Sequence, residues 1–204
     1  MKRLFALFLL MVASASAMAE EPLILVFGDS ISAGYGLDHV EQGWVELLKT
    51  RLKNLGYGYQ VVNASVSGET TAGGLARLPR ALEVHHPKIV ILELGGNDGL
   101  RALPISQMRA NLSQMVDLSV AAGAKVVLLG MRMPPNYGPD YTEQFRLTFS
   151  ELADEKKLPV VPFLLNDIAL SPKLMQDDQI HPNSQGQPKL LDNVWPKLMP
   201  LLRK

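Results

Sequence analysis

Apolar and β-branched residues crowd into five runs, at positions 23–27, 60–63, 88–94, 125–129 and 159–163. Within Ile89-Val90-Ile91-Leu92 apolar and polar positions do not alternate. That is the pattern of strands covered on both faces, as in a parallel sheet. The stretches between the runs change period. Trp44, Leu47, Leu48, Leu52 and Leu55 recur at three- and four-residue steps, with Gly56 as a stop, which predicts a helix. Residues 71–86, 106–122 and 140–157 carry similar spacing, and 187–202 closes the chain. Pro196 and Pro200 predict that this last helix is short or kinked. Strand and helix alternating five times point to an α/β sandwich. No internal repeat, linker or low-complexity tract divides it, so a single domain is expected.

The longest irregular pieces are 28–40, 131–139 and 166–185. Open parallel sheets bind ligands beyond the carboxyl ends of their strands. Phe27-Gly28-Asp29-Ser30 follows the first run, and Asn63-Ala64-Ser65-Val66-Ser67-Gly68 the second. Glu93-Leu94-Gly95-Gly96-Asn97-Asp98 ends the third, and Asp178-Gln179-Ile180-His181-Pro182 follows the fifth. All four segments are therefore expected at one edge of one sheet.

Composition narrows the chemistry. The chain has 204 residues and no cysteine, which excludes a thiol nucleophile, a disulfide and a cysteine-based metal site. Lys2 and Arg3 precede an apolar stretch, Leu4 to Val12, and the small-x-small triplet Ala17-Met18-Ala19. This is the form of an export signal at residues 1–19, well short of the roughly 20 apolar residues that span a bilayer. A mature domain of residues 20–204 in the periplasm, or secreted, is expected, without stable membrane insertion. It holds 18 basic and 20 acidic residues, a balance that argues against nucleic acid as a partner. No His-Glu-x-x-His helix, calcium loop, phosphate loop or dinucleotide glycine pattern is present. No metal and no cofactor is implied.

The four segments could supply a hydroxyl nucleophile, a base with its orienting acid, and separate hydrogen-bond donors, the kit for acyl transfer through a covalent intermediate. Ser30 ends the first strand-to-helix connection; Gly28-Asp29-Ser30 taken alone is equally a capped turn. It is not the Gly-x-Ser-x-Gly elbow, because Gly28 and Ser32 flank Ser30. His181 lies three residues after Asp178, which lets a carboxylate reach the near ring nitrogen within one turn. Asp177 is adjacent, but the spacing favours Asp178. His39, His85 and His86 sit in loop-like or helix-end surroundings where exposure is expected. Gly68 can bring a backbone amide close to a ligand, and Asn97 can offer its side-chain amide. Both also occur in ordinary turn sequences.

On these residues the chain resembles the GDSL, or SGNH, hydrolase family, and within it the periplasmic bacterial thioesterases, lysophospholipases and arylesterases. The resemblance also runs through Val62-Asn63-Ala64-Ser65, Gly74-Leu75-Ala76-Arg77-Leu78-Pro79, residues 94–101 and Pro135-Asn136-Tyr137-Gly138. It implies a three-layer fold, with a five-stranded parallel sheet of order 2-1-3-4-5 between helices. It implies a serine esterase acting on small-molecule acyl esters and thioesters, with Ser30 as nucleophile, His181 as base and Asp178 as acid. The oxyanion donors implied are the Ser30 and Gly68 amides and Asn97. Residues 99–104, with Leu100, map to a loop that moves over acyl chains, and Met133-Pro134 to an apolar wall of the acyl groove. Two positions depart from the family pattern: Ile31 replaces leucine, and Gln179 stands where glycine is usual, which bears on the conformation of the closing loop. A carbohydrate acetylesterase of the same superfamily and a non-catalytic binding module are the alternatives, and a monomer is the default.

Overall fold

The computed structural model describes residues 21–204; the expected export segment, residues 1–19, lies outside them. Strands β1 (Leu23–Gly28), β2 (Gln60–Asn63), β3 (Ile89–Glu93), β4 (Lys125–Leu129) and β5 (Val160–Val161) form one sheet, in the order β2-β1-β3-β4-β5. Every pairing is parallel. Ile24 to Phe27 and Val90 to Leu92 are wholly buried, as strands with both faces covered require.

Helices α2 (Trp44–Asn54) and α7 (Gln187–Leu198) pack against each other in one layer. Helices α3 (Thr71–His85), α5 (Ile105–Ala121) and α6 (Pro139–Lys156) pack side by side in the other. Of the periodic residues of α2, Trp44, Leu48 and Leu52 are buried and Leu47 half-buried, as the spacing predicts, while Leu55, just past the helix end, faces solvent. Pro196 lies inside α7, and the chain tightens into a 3₁₀ turn at Met199–Leu201.

Differences from the sequence reading have local causes. The fifth run yields only two strand residues, because Pro159 and Pro162 flank it and neither has an N–H to donate. Their neighbours still close the ladder, through Leu128 N–H on Pro159 O at 3.0 Å and Gly130 N–H on Val161 O at 2.8 Å. Two helices too short to show a period escaped the pattern: α1 (Ser30–Ala33) and α4 (Gly96–Leu100). Both lie in the segments singled out for chemistry.

Register places those segments together. Val26 pairs with Asn63, and Gly28 pairs with Glu93. The chain therefore leaves β1, β2 and β3 side by side at one sheet edge. Val66 N–H then bonds Gly28 O at 3.0 Å, drawing the segment after β2 against the start of α1.

Candidate active site

Asp29 caps α1. Its Oδ1 accepts from Ile31 N–H at 3.0 Å, which fixes Ser30 as the first helical residue with its hydroxyl at the sheet edge. Gly28 is required here by space: a β-carbon on it would stand 2.6 Å from Glu93 Oε2. Glu93, at the end of β3, is fully buried and accepts from Asp29 N–H at 3.1 Å and from the Ser32 hydroxyl at 2.8 Å.

The last of the four segments arrives from the far end of the chain. Met175 and Pro182 form an antiparallel bridge, with Gln176 N–H on His181 O at 2.8 Å. The Gln176 amide also donates to Tyr35 O at 2.8 Å and to Pro182 O at 3.1 Å, knitting this loop to the one after α1. The result brings His181 Nε2 to 2.8 Å from Ser30 Oγ, across 151 residues of sequence. On the other side His181 Nδ1 lies 2.6 Å from Asp178 Oδ2. A carboxylate only accepts, so Nδ1 carries the proton and Nε2 is the acceptor facing the serine hydroxyl.

Asp178 is itself held. Its Oδ1 accepts from Ile180 N–H at 2.9 Å and His181 N–H at 3.0 Å. Partial burial alone would raise its carboxyl, but the bonds from His181 and Ile180 outweigh it and keep the group below the usual carboxylate range. Asp177, the neighbouring candidate, is exposed. Gln179 adopts φ +56°, the left-handed conformation that favours glycine. The closing loop thus keeps the backbone shape a glycine would give, with a glutamine in it. Of the other histidines, His39 and His86 are exposed and His85 is half-buried.

Asn97 sits in α4, which begins after Gly95 turns the chain at φ +116°. A side chain at Gly95 would press on Met108 and Phe149. Asn97 Nδ2 donates to Asp29 Oδ2 at 3.1 Å; an amide has two such protons, so one remains free. Its neighbour Asp98, buried, receives Thr71 N–H at 2.8 Å and the Thr71 hydroxyl at 2.6 Å. Asn111 caps that contact through Thr71 Oγ1 at 3.0 Å. This buried cluster ties α4 to the start of α3. Gly68 stands just before α3 at φ +78°, and its carbonyl accepts from Arg101 Nη2 at 3.0 Å.

The residues expected to meet the acyl chain divide. Leu100 is half-buried, and its carbonyl accepts from the Tyr137 hydroxyl at 2.9 Å. Met133 is buried; its thioether and the Phe145 ring occupy the space a side chain at Gly99 would need. Pro134 is exposed.

Several contributors were missed in the sequence. Tyr35 lies with its ring 4.8 Å from the His181 ring, tilted by 44°. Asp29, Glu93 and Asp98 support the site from behind, and Arg101, exposed, holds the Gly68 carbonyl. One signal existed for Glu93: an acid ending an otherwise apolar, doubly covered strand needs a polar reason to be there.

A serine hydroxyl, an imidazole and a carboxylate joined in line at the carboxyl edge of a 2-1-3-4-5 sheet define a serine hydrolase of the SGNH type. Residues 26–188 match the GDSL-like Lipase/Acylhydrolase family. The chain is 52% identical over 184 residues to Esterase TesA of Pseudomonas aeruginosa, covering 90% of this chain and 91% of that protein. It is 42% identical over 196 residues to thioesterase 1/protease 1/lysophospholipase L1 of Escherichia coli K12, covering 96% and 91%. Among solved structures, the psychrotrophic esterase EstA of a Pseudoalteromonas species superposes with a TM-score of 0.83 at 40% identity, over 87% of this chain and 97% of that one. The chain belongs to the GDSL-like lipase/acylhydrolase family.

Proposed function

We propose that the protein hydrolyses carboxylic esters and thioesters of acyl groups through an acyl-enzyme on Ser30. The observation that carries the reading is the unbroken line from Ser30 Oγ through His181 to Asp178, at 2.8 and 2.6 Å. His181 Nε2 takes the hydroxyl proton as Ser30 Oγ bonds to the carbonyl carbon. The tetrahedral oxyanion forms against the Ser30 and Gly68 amides and the free proton of the Asn97 amide. His181, now imidazolium, is stabilised by Asp178 and gives its proton to the departing alkoxide or thiolate. Water then enters, loses a proton to His181 and releases the acid, restoring Ser30.

Substrates are aryl esters, acyl thioesters and lysophospholipids, thioesterase and lysophospholipase being named in the Escherichia coli relative. Leu100 and the 99–104 loop cover the acyl chain, with Met133 and Pro134 on its far side. The enzyme works as a monomeric single domain, residues 20–204, after export to the periplasm.

A fluorophosphonate probe tests the chemistry, since it phosphonylates an activated serine hydroxyl. The expected result is a label on the wild type and none on Ser30→Ala, with turnover of a p-nitrophenyl ester lost by about 10⁶-fold. Labelling that survives Ser30→Ala, or an unlabelled and inactive wild type, refutes it. A chain-length series of esters and thioesters then ranks the substrates.

A further inference from the structure

Two buried acids behind the nucleophile take no part in the proton transfers described. Asp29 and Glu93 are 2% and 0% exposed, and neither bonds a lysine or arginine among the described residues. Glu93 Oε1 is buried without a hydrogen-bond partner, while Oε2 takes both the Asp29 N–H and the Ser32 hydroxyl. Retaining an acid at the end of a wholly buried strand is costly, so a compensating role is expected of it.

The contacts trace one path. Glu93 grips the turn on both sides of Ser30, through the backbone of Asp29 and the side chain of Ser32. Asp29 in turn grips Ile31 N–H and the Asn97 amide. The nucleophile and the side-chain oxyanion donor are thus braced by the same pair of acids, from opposite elements of the sheet edge.

We propose that Glu93 is a positioning residue for hydrolysis: lodged beneath the Gly28–Ser32 turn, it sets the direction of the Ser30 hydroxyl and, through Asp29, of the Asn97 amide. The inference rests on the reading of Ser30 as nucleophile. Burial, and then repulsion from Asp29, push the Glu93 carboxyl well above the usual range. Burial also raises Asp29, less far because hydrogen bonds and the nearby His181 offset part of it. Of the two, Glu93 is the carboxyl that holds its proton more readily. One oxygen, Glu93 Oε2, accepts both bonds, and the carbonyl oxygen of a glutamine can accept the same two, whereas a residue of equal length without polar atoms cannot.

The experiment compares Glu93→Gln, Glu93→Met and Glu93→Asp in the purified mature protein. Steady-state kinetics on a p-nitrophenyl ester and the rate of fluorophosphonate labelling are read, with circular dichroism as a check on folding. Glu93→Met is expected to lower kcat by about 10- to 100-fold with little change in KM, the scale for an ångström of misplacement. Labelling slows in parallel, and Glu93→Gln restores kcat to within about threefold of wild type. A merely structural role predicts lost folded protein with normal kcat per folded molecule. Glu93→Gln as impaired as Glu93→Met, or Glu93→Met folded with unchanged kcat, overturns the proposal. Should Glu93→Met not fold, Glu93→Asp decides. Its carboxyl, one methylene short, cannot reach both donors, so about a tenfold loss in kcat at constant KM supports the proposal and wild-type kcat overturns it. Ser30→Ala in the same assay separates the two readings. If it is active, the nucleophile assignment fails; if it is inactive while every Glu93 variant is normal, only this inference fails.

Discussion

Replacing Asp178 with asparagine changes one oxygen for an NH₂ and leaves the volume intact, so its effect isolates the tautomer of His181. The geometry dictates which way the amide turns. Asp178 Oδ1 accepts two backbone N–H groups, at 2.9 and 3.0 Å, and Oδ2 accepts one ring N–H at 2.6 Å. The asparagine carbonyl goes to the two backbone donors, because the opposite orientation sets an NH₂ against both. Its NH₂ then meets His181 Nδ1 and forces that nitrogen to accept. The ring proton moves to Nε2, which can no longer take the proton of Ser30 Oγ, 2.8 Å away. A trapped tautomer of this kind costs about 10⁴ in kcat, or about 5 kcal/mol of barrier. The assay is p-nitrophenyl ester turnover near pH 7, with thermal melting to establish that the variant is folded. A loss smaller than tenfold in a folded Asp178→Asn would show that Asp178 does not set the tautomer, and the assignment of the acid would have to move.

Asn97→Ala is expected to lower kcat by about 10²–10³, the scale for one oxyanion donor; a loss below tenfold in ester hydrolysis removes Asn97 from the site. Asp29→Asn tests stability rather than rate. Burial lifts the Asp29 carboxyl from 3.8 to about 6, so the native state holds that proton more tightly than the unfolded chain. The stability it contributes is fully present below pH 4 and is lost as pH rises towards 6, by about 3 kcal/mol at most. The melting temperature of Asp29→Asn should therefore gain on wild type between pH 4 and 7, and a gain that shrinks over that range contradicts the reasoning. Gln179→Gly relieves a left-handed φ of +56° but adds freedom to the unfolded chain. The two effects are each about 1 kcal/mol and opposed, so the denaturation midpoint should hardly move. Gln179→Val, β-branched in the same conformation, should destabilise by about 1–3 kcal/mol; equal midpoints for the two variants would mean the loop does not hold that conformation in solution.

Much of this is legible in the sequence alone. Covered-strand runs and helical spacing yielded the layered α/β plan, and strand ends marked the sheet edge at which Ser30 and His181 lie. The three-residue step from Asp178 to His181 is a local constraint, satisfied within one turn, and it held at 2.6 Å. Local rules failed where elements are too short for a period, as at α1 and α4, and where proline donors are missing, as at β5.

The rest required long-range packing. The strand ends bring the Ser30 and His181 segments to one sheet edge, but the contact between them, and the pairing of Gly28 with Glu93, depend on how strands and loops distant in sequence come to rest. The two buried acids make the point most sharply. Glu93 reads in sequence as an oddity in an apolar run, and Asp29 as a turn residue. Only the fold puts them together away from water, where desolvation raises both carboxyls and repulsion from Asp29 raises Glu93 further. Residue types and spacing carried the plan of the molecule and the inventory of its chemistry, since both arise from local sterics and apolar patterning. Distances, the upward shifts of the buried carboxyls and the bracing of the turn around Ser30 arise from burial and non-local contact, which exist only once the chain has folded.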